Sequence, residues 1–349
     1  MSQTISWRSP SNIALVKYWG KHGVQLPRNP SISFTLQNAY TETRIDYATR
    51  SSGAKQNIDL QFFFEGQANE AFGAKQARFL ESLLPTFPFL GELSLVINSH
   101  NSFPHSAGIA SSASSMSALA LCLCSIEQDY TGRLASEDEF LDKASFIARL
   151  GSGSACRSVY PHLAAWGKSS ALLAGSDEVA VPCSNIVNPL FRTYHDDILL
   201  VSAGEKSISS RAGHGLMVGN PFAQARYTQA NDNFMTLLGV LRDGDLERFT
   251  EIVENEALTL HALMMSSYPS FILLQPNSLA IIEKIKNFRY QTDLPVCFTI
   301  DAGPNIHLLY PDDIAEKVQP FIQSELLPLC ENGRMIADCV GNGPVLVIN

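Results

Sequence analysis

Residues 93–126 place a predicted strand, a loop of small residues and a predicted buried helix in direct succession. Leu93–Ile97 has the alternation of a β-strand, and it leads into the Gly/Ser-rich loop Asn101–Ser115. The continuous small and apolar stretch Ser117–Ile126 then indicates a helix that is buried on every side. This succession predicts a domain that mixes helices with a sheet.

The remainder of the chain mixes the same two kinds of element. Helix-type spacing predicts helices over Glu139–Leu150, Ala223–Leu241, Asp245–Ser266 and Asn277–Phe288. Apolar runs predict strands over Ala171–Leu173, Glu178–Pro182, Asp197–Ala203, Pro295–Ile300, Ile306–Tyr310 and Pro344–Ile348. Because few βαβ repeats occur, the fold class that we predict is α+β rather than a doubly wound sheet.

The chain has 349 residues, which is more than one hydrophobic core normally organises, so two domains are expected. A polar, Pro-containing break around Val187–Pro189 separates the two mixed halves. We therefore predict an N-terminal domain over residues 1–187 and a C-terminal domain over residues 188–349.

The composition excludes several classes of protein. With 45% hydrophobic and 17% charged residues, the chain is typical of globular proteins. Its longest apolar runs, such as Ala118–Cys124, are too short to span a bilayer, and the N-terminus lacks the pattern of a secretory signal. A formal net charge of −9 argues against a nucleic acid or an anionic membrane as the main partner.

The cysteines and histidines give no sign of disulfides or of a protein metal site. The seven cysteines are odd in number and form no CxxC pair, which predicts reduced thiols and a cytoplasmic location. The histidines follow no metal-ligand spacing, so we predict no metal held by the protein's own side chains.

Two Gly/Ser-rich segments can bind anions. Gly108, Ser111, Ser112 and Ser114 lie between the predicted strand and the start of the predicted helix, where free backbone N–H groups and hydroxyls can hold a phosphate. The alternative is a flexible, Ser-rich surface loop. The second segment, GSGSACRS over residues 151–158, has the composition of a linker, but a linker rarely continues into an apolar segment that carries an arginine.

Two shorter segments carry charged residues. The segment KYWGK over residues 17–21 can be either a site or two lysines that cover surface aromatic rings. The segment IDAGPN, which includes Asp301, has the composition of a hairpin turn. Neither segment establishes a function on its own.

Taken together and in this order, these segments resemble the mevalonate diphosphate decarboxylase family, a branch of the GHMP small-molecule kinases. The matching stretches are NIALVKYWGK, NPSISFTL, NSFPHSAGIASSAS, ARLGSGSACRS and DAGPN. The resemblance implies a two-domain GHMP fold, with a ribosomal-protein-like N-terminal domain and a ferredoxin-like C-terminal domain. It also implies an ATP- and Mg²⁺-dependent decarboxylation of mevalonate 5-diphosphate to isopentenyl diphosphate, and a homodimer.

The resemblance further implies roles for individual residues. Asp301 would be the catalytic base, Lys17 would lie beside it, and Arg157 would hold the substrate carboxylate. The remaining contacts with the substrate would come from Tyr18, Lys21, Ser152, Gly153, Ser154 and Arg211. The phosphates of ATP would be bound by Gly108, Ser111, Ser112 and Ser114.

The sequence departs from the family pattern at a few positions and leaves two alternatives open. The departures are His105, Ser106, Ser114, Ser115, Pro30 and His214. One alternative is a mevalonate or phosphomevalonate kinase or decarboxylase of the same superfamily. The other is a homologue that binds ligands without catalysis.

Overall fold

The computed structural model describes residues 2–50, 57–104, 109, 111–202, 204 and 210–348, with the backbone alone for residues 210 and 211. The strands are β1 (Gln3–Val16), β2 (Lys21–His22), β3 (Leu26–Pro27), β4 (Ser31–Thr49), β5 (Asp59–Phe64), β6 (Gln67–Ala68), β7 (Leu93–Asn101), β8 (Leu163–Trp166), β9 (Ala180–Pro182), β10 (His195–Leu199), β11 (Cys297–Thr299), β12 (Ile306–Tyr310), β13 (Met335–Ile336) and β14 (Val345–Leu346). The α-helices are α1 (Glu70–Ser82), α2 (Ser111–Thr131), α3 (Glu137–Gly151), α4 (Ser210–Gly215), α5 (Ala223–Asp243), α6 (Leu246–Met265), α7 (Pro276–Thr292) and α8 (Ala315–Phe321).

The first half of the chain is built on a large sheet in the order β14-β1-β4-β7-β5-β6. Strand β4 is long enough to pair with β8 through Ser31–Phe34 and with β7 through Thr41–Thr49. Only the β5–β7 pair within this sheet is parallel among the described strands. Strand β1 ends at Val16, so the next residue, Lys17, leaves the sheet at its edge.

Helices α2 and α3 pack on this sheet. Most of the 21 residues of α2 are buried, as expected for a helix with apolar or small residues on all sides. Helix α3 begins after Ser136, whose hydroxyl accepts the backbone N–H of Glu139, and its first turn is acidic. It ends at Gly151, which is the first residue of the segment GSGS over residues 151–154.

The second half contains an antiparallel sheet in the order β11-β12-β10-β13, which packs against the long helices. The turn between β11 and β12 carries residues 300–305, including Asp301. An antiparallel β-sheet with helices beside it is the arrangement expected for the second half of an α+β chain. The predicted α+β fold class is confirmed.

The two halves share a hydrophobic core. Phe34 of β4 packs with Phe191, Tyr194 and Phe249 of the second half, with ring centroids 5.8–6.4 Å from the Phe34 ring. A polar contact adds to this core, because the carboxylate of Asp338 accepts backbone N–H groups of residues 37, 38 and 39 in β4. The halves are therefore held together by buried apolar surface and by hydrogen bonds.

Most of the predicted elements are present, with ends displaced by a few residues. The strand predicted over Ala171–Leu173 is wrong, because Leu173 is fully exposed and its neighbours form a turn with one isolated bridge between Ser169 and Leu172. All seven cysteines are free thiols, and six of them are buried. No helix in the described part of the chain is long and apolar enough to cross a membrane.

Candidate active site

Lys17 and Asp301 meet where the end of β1 faces the β11–β12 turn. Lys17 Nζ donates to Asp301 Oδ1 at 3.0 Å. Burial lowers the pKa of Lys17, and the nearby Asp301 carboxylate opposes this shift. Lys17 is 1% exposed, so the alternative of a lysine covering surface rings is wrong. Asp301 is partly exposed, which leaves its carboxylate accessible to a ligand.

Arg157 lies in the short 3₁₀ helix Gly153–Val159, which follows α3 and is largely buried, so this segment is not a linker. Its guanidinium donates to the hydroxyls of Ser31 and Ser33 and to Asn12 Oδ1. Each of these acceptors is a neutral oxygen. Because a guanidinium has five N–H groups, two remain without an acceptor among the described residues.

This buried cation can therefore take a planar, two-oxygen anion such as a carboxylate. Burial lowers the pKa of Arg157, while the negative charge of Asp301 lies close enough to raise it. Lys17, Asp301 and Arg157 thus form one charged group at the junction of the two halves.

Tyr18 lies between this charged group and the GSGS segment. Its ring packs edge-on against Trp166, with ring centroids 4.7 Å apart. It also packs at a tilt against the imidazole of His214, with ring centroids 4.3 Å apart. Its hydroxyl is buried and has no hydrogen-bond partner among the described residues. Burial raises the pKa of Tyr18 above its ordinary value, so the phenol stays protonated and can donate to an anion.

Gly153 permits this position of Tyr18. A Cβ atom at residue 153 would lie 2.8 Å from Tyr18 Oη and 2.9 Å from Trp166 Cη2. Ser152 and Ser154 flank the glycine and are half-buried. Lys21, on the short hairpin β2–β3, donates to Gln25 Oε1 at 3.0 Å.

The start of α2 lines a cleft of about 550 Å³. Ser111, Ser112 and Ser115 contribute to its wall, together with residues of β5, β7 and α1. Ser112 Oγ lies 3.1 Å from Ser152 Oγ, so the helix start and the GSGS segment are in contact. Free N–H groups and hydroxyls at this position suit phosphate oxygens.

Not every predicted residue lies in this cleft. Ser114 is fully buried and its hydroxyl bonds Thr41 Oγ1 at 2.7 Å, so Ser115 is the serine that faces the cleft instead. Gly108 lies outside the described residues, as do the departures His105 and Ser106. The backbone of Arg211 lies in the first turn of helix α4, and its side chain is not among the described groups.

Sequence reasoning missed two groups of residues at this site. The first consists of the neutral oxygens around Arg157, of which Asn12 also donates to Ser158 Oγ at 2.7 Å and to Ser154 O at 3.1 Å. The second is the apolar and basic wall of the cleft, formed by Phe62, Phe64, Phe72, Phe79, Lys75 and Arg78. The phenylalanine run of β5 and the spacing of Lys75 and Arg78 on one face of α1 could have indicated this wall.

Comparisons with known proteins agree with this geometry. Residues 9–180 match the family profile of the diphosphomevalonate decarboxylase-like N-terminal domain, and residues 198–342 match that of the mevalonate 5-diphosphate decarboxylase C-terminal domain. The diphosphomevalonate decarboxylase of Eremothecium gossypii is 33% identical over 87% of this chain and 77% of its own length.

Solved structures show the same fold. The mevalonate diphosphate decarboxylase of Staphylococcus aureus has a TM-score of 0.83 at 28% identity, over 100% of this chain and 99% of that one. A structure of MDDEF in complex with MVAPP, AMPPCP and magnesium has a TM-score of 0.81 at 28% identity over the whole of both chains. Two profiles that together cover most of the sequence, a relative above 30% identity and this shared fold lead to one conclusion: the chain belongs to the diphosphomevalonate decarboxylase family.

Proposed function

We propose that this chain converts mevalonate 5-diphosphate and ATP into isopentenyl diphosphate, ADP, phosphate and CO₂, with Asp301 as the catalytic base. The observation that carries the proposal is the contact between Lys17 and Asp301 beside a buried Arg157 that has N–H groups to spare. A carboxylate acceptor, a cation next to it and a carboxylate-binding guanidinium are the three groups that this reaction needs.

The charges of the site match those of the substrate. Mevalonate 5-diphosphate carries a carboxylate at one end and a diphosphate at the other. Arg157 binds the carboxylate, and the hydroxyl of Tyr18, the hydroxyls of Ser152 and Ser154 and the cations Lys21 and Arg211 bind the diphosphate. A monophosphate would leave part of this donor set unused, which favours the diphosphate over the smaller substrates of related kinases.

The first step is a phosphoryl transfer. Asp301 takes the proton of the substrate's tertiary hydroxyl, the oxygen forms a bond to the γ-phosphorus of ATP, and ADP leaves. Reactions of this type depend on alignment and on compensation of charge more than on covalent help from the protein. Lys17 supports both requirements, since its ammonium holds Asp301 in place and stabilises its ionised form.

The second step breaks a carbon–carbon bond. The bond between the carboxylate and the substrate chain breaks and CO₂ leaves. The released electron pair forms the double bond, and the C–O bond to the new phosphate breaks. Arg157 keeps the carboxylate in the orientation that this elimination requires. Phosphate is therefore attached only to be released as a leaving group.

The cleft at the start of α2 fits a nucleotide. Its serines and helix N-terminus suit the phosphates, and its aromatic wall, with Phe62 and Phe79, suits a nucleobase. Mg²⁺ prefers oxygen donors and commonly binds substrate phosphates, waters and one or two carboxylates. The serine hydroxyls at the start of α2 are oxygen donors of that kind, and bound Mg²⁺ would neutralise charge on the phosphates of ATP.

One assay tests the proposal. Purified protein is incubated with ATP, Mg²⁺ and mevalonate 5-diphosphate, and ADP, phosphate and CO₂ are quantified; we expect the three in equal amounts. Parallel reactions with mevalonate and its monophosphate distinguish the substrates. ADP formed without CO₂ would identify a kinase, and no reaction with any substrate would identify a binding protein.

We also propose a domain division, an oligomeric state and a location for the protein. We place the domain division at residue 187 and expect a homodimer in a reducing compartment, the cytoplasm. The six buried free thiols support a reducing environment. Light scattering of the eluted protein measures the oligomeric state, and a monomer at micromolar concentration would contradict the dimer.

A further inference from the structure

The backbone of Lys17 is clamped by an ion pair of the second half. Glu256 of α6 accepts the backbone N–H of Lys17 on Oε2 at 2.8 Å. Arg226 of α5 donates from Nη2 to the carbonyl oxygen of Lys17 at 3.2 Å. The backbone N–H and the carbonyl oxygen of Lys17 are thus both bound by side chains from the opposite half of the chain.

The ion pair itself is rigid and buried. Arg226 donates to both carboxylate oxygens of Glu256, at 2.7 and 2.5 Å, and Asn233 Nδ2 donates to Oε1 at 2.7 Å. The side chains of Arg226 and Glu256 are 1% and 0% exposed. The four donors on Glu256 leave its carboxylate little freedom, and a two-pronged guanidinium–carboxylate pair fixes orientation as well as distance.

Helix α6 also contacts the other member of the Lys17–Asp301 pair. His261 Nε2 lies 3.1 Å from the backbone oxygen of Asp301, five residues along the helix from Glu256. Leu260, Leu263 and Met264 of the same helix belong to the hydrophobic cluster that contains Trp19, which keeps the chain beyond Lys17 close to α6. Helix α6 is therefore in contact with the backbone of both residues.

We infer that Glu256 and Arg226 are positioning residues for catalysis, which set the distance between Lys17 Nζ and Asp301 Oδ1. This inference rests on the proposed roles of Lys17 and Asp301. Lys17 immediately follows the end of β1, so its N–H has no partner in the sheet, and Glu256 supplies one. Asn29 Nδ2 also donates to Lys17 O, at 3.0 Å, but it does not reach the N–H. Without the clamp, we expect the Lys17 N–H to lose its partner and the residue to shift, which carries the ammonium away from the base.

The chain offers a matched control two residues away on the same helix. Glu254 forms a similar two-pronged pair with Arg289 of α7, at 2.7 and 3.1 Å, and Arg289 also donates to Val296 O. This pair joins α6 to the neighbouring helix and has no contact with Lys17 or Asp301 among the described interactions. It is therefore suited to separate a loss of stability from a loss of position.

The experiment compares Glu256→Gln with Glu254→Gln by thermal unfolding, by kcat and KM for both substrates, and by the pH dependence of kcat. We expect both variants to unfold at lower temperature. Only Glu256→Gln should lower kcat, by about 10- to 100-fold, because small displacements of reacting groups have effects of that size. The KM for ATP should change little, since the nucleotide cleft lies at α1 and α2.

The pH dependence of kcat distinguishes a positioning role from a purely stabilising one, because a loss of stability alone would leave it unchanged. If Lys17 withdraws, the charged groups around the reacting hydroxyl are rearranged. The pH profile of kcat should then change in Glu256→Gln and stay in place in Glu254→Gln. The other titratable and charged groups that face Lys17 and Asp301 include Arg157, Asp196, Arg226, His261 and Glu256, and of these the variant replaces only Glu256.

Three kinetic outcomes would overturn the inference. The first is a folded Glu256→Gln variant with the kcat and pH profile of the wild type. The second is an equal loss of kcat in Glu254→Gln. If Glu256→Gln does not fold, Arg226→Lys replaces it, because an ammonium keeps the charge but lacks the planar fork that donates to both Glu256 oxygens and to Lys17 O; normal kcat in that variant is the third.

A crystal structure of the folded variant gives a readout that needs no substrate. We expect the 3.0 Å contact between Lys17 Nζ and Asp301 Oδ1 to lengthen. An unchanged contact would overturn the inference whatever the substrate is. A wild-type protein inactive on mevalonate 5-diphosphate, in contrast, would reject the proposed function and leave this structural test decisive for the clamp.

Discussion

Lys17 Nζ lies 3.0 Å from Asp301 Oδ1, although the two residues are 284 positions apart in the chain. Lys17 belongs to the first half and Asp301 to the turn that follows β11 in the second. The contact therefore forms only when the two halves are packed together. Because Lys17 is fully buried, the carboxylate of Asp301 is the main group that compensates its charge.

Asp301→Asn should abolish turnover while substrate binding stays nearly intact. Asn has the same size, and the buried strand β11 before it and the turn after it fix the backbone, so the fold should survive. The amide cannot accept the hydroxyl proton, and the loss of a positioned base typically lowers the rate by roughly 10²–10⁴-fold. Steady-state rates of ADP and CO₂ formation, with calorimetric binding of mevalonate 5-diphosphate, measure the two effects.

The order of the two steps is tested by the same variant. Since proton removal belongs to phosphoryl transfer, ADP formation should fall together with CO₂ release. Normal ADP formation without CO₂ would show that Asp301 acts only in the decarboxylation, and the proposed order of events would be wrong.

Arg157→Lys should be harmful although the charge is conserved. The guanidinium uses three N–H groups on Ser31, Ser33 and Asn12 and has two left for a carboxylate. An ammonium has three donors in all, so it cannot keep these partners and also bind two oxygens. We expect a loss of transition-state stabilisation on the order of 2–3 kcal/mol, measured as kcat/KM. Wild-type kinetics in the folded variant would remove this role from Arg157.

The charged residues of the site could be predicted from the sequence because each lies in a short, contiguous segment. KYWGK, GSGSACRS and DAGPN each carry a charged residue within a few positions of the glycines and aromatics that shape the backbone. The clamp on Lys17 could not be found in this way. Arg226 and Glu256 lie on two helices, and on a helix they have the appearance of ordinary surface charges until tertiary packing buries them.

The large sheet was also hard to predict. Strands β1 and β4 are long, but β1 is interrupted by polar residues such as Ser9, Ser11 and Asn12, which hides the alternation. These residues are buried, and they bond Ser117, Ile109 O and Ser158 rather than water. The strand predicted at Ala171–Leu173 failed for the opposite reason, since Ala171 and Leu173 of this short apolar run are exposed and the run pairs with no named strand.

Gly153→Ala should weaken binding of the substrate diphosphate. The new Cβ would lie within 3 Å of Tyr18 and Trp166, so the Tyr18 ring must move. We expect the KM for mevalonate 5-diphosphate to rise about tenfold or more while the KM for ATP stays within about twofold. Gly239→Ala is the control, because its nearest neighbour is the end of the Arg242 side chain at 4.0 Å, and alanine should slightly stabilise helix α5. An unchanged substrate KM in Gly153→Ala would mean that Tyr18 does not contact the diphosphate.

His214→Met should make the protein less sensitive to mild acid. His214 is buried against Tyr18 and Trp19, and its Nδ1 accepts the backbone N–H of Gly20 at 3.0 Å. Burial, with a smaller contribution from Lys21, lowers the pKa of His214 from 6.5 to about 3. The folded state therefore keeps the imidazole neutral at pH values where the unfolded chain binds a proton.

The sign of the effect follows from this difference in proton binding. Above pH 6.5 neither state is protonated at His214 and the shift has no effect on stability; between pH 6.5 and 3 the unfolded chain gains protons and stability falls as the pH is lowered. At pH 5 the loss should approach about 2 kcal/mol, since each pKa unit is worth about 1.4 kcal/mol.

Methionine does not titrate, but it also cannot accept the Gly20 N–H, which lowers stability by about 1 kcal/mol at every pH. Urea unfolding of both proteins at pH 7.5 and pH 5 separates the lost hydrogen bond from the lost titration. The variant should have the lower free energy of unfolding at pH 7.5. Its free energy of unfolding should also fall less between the two pH values than that of the wild type. A parallel loss in both proteins would show that His214 does not carry the acid sensitivity.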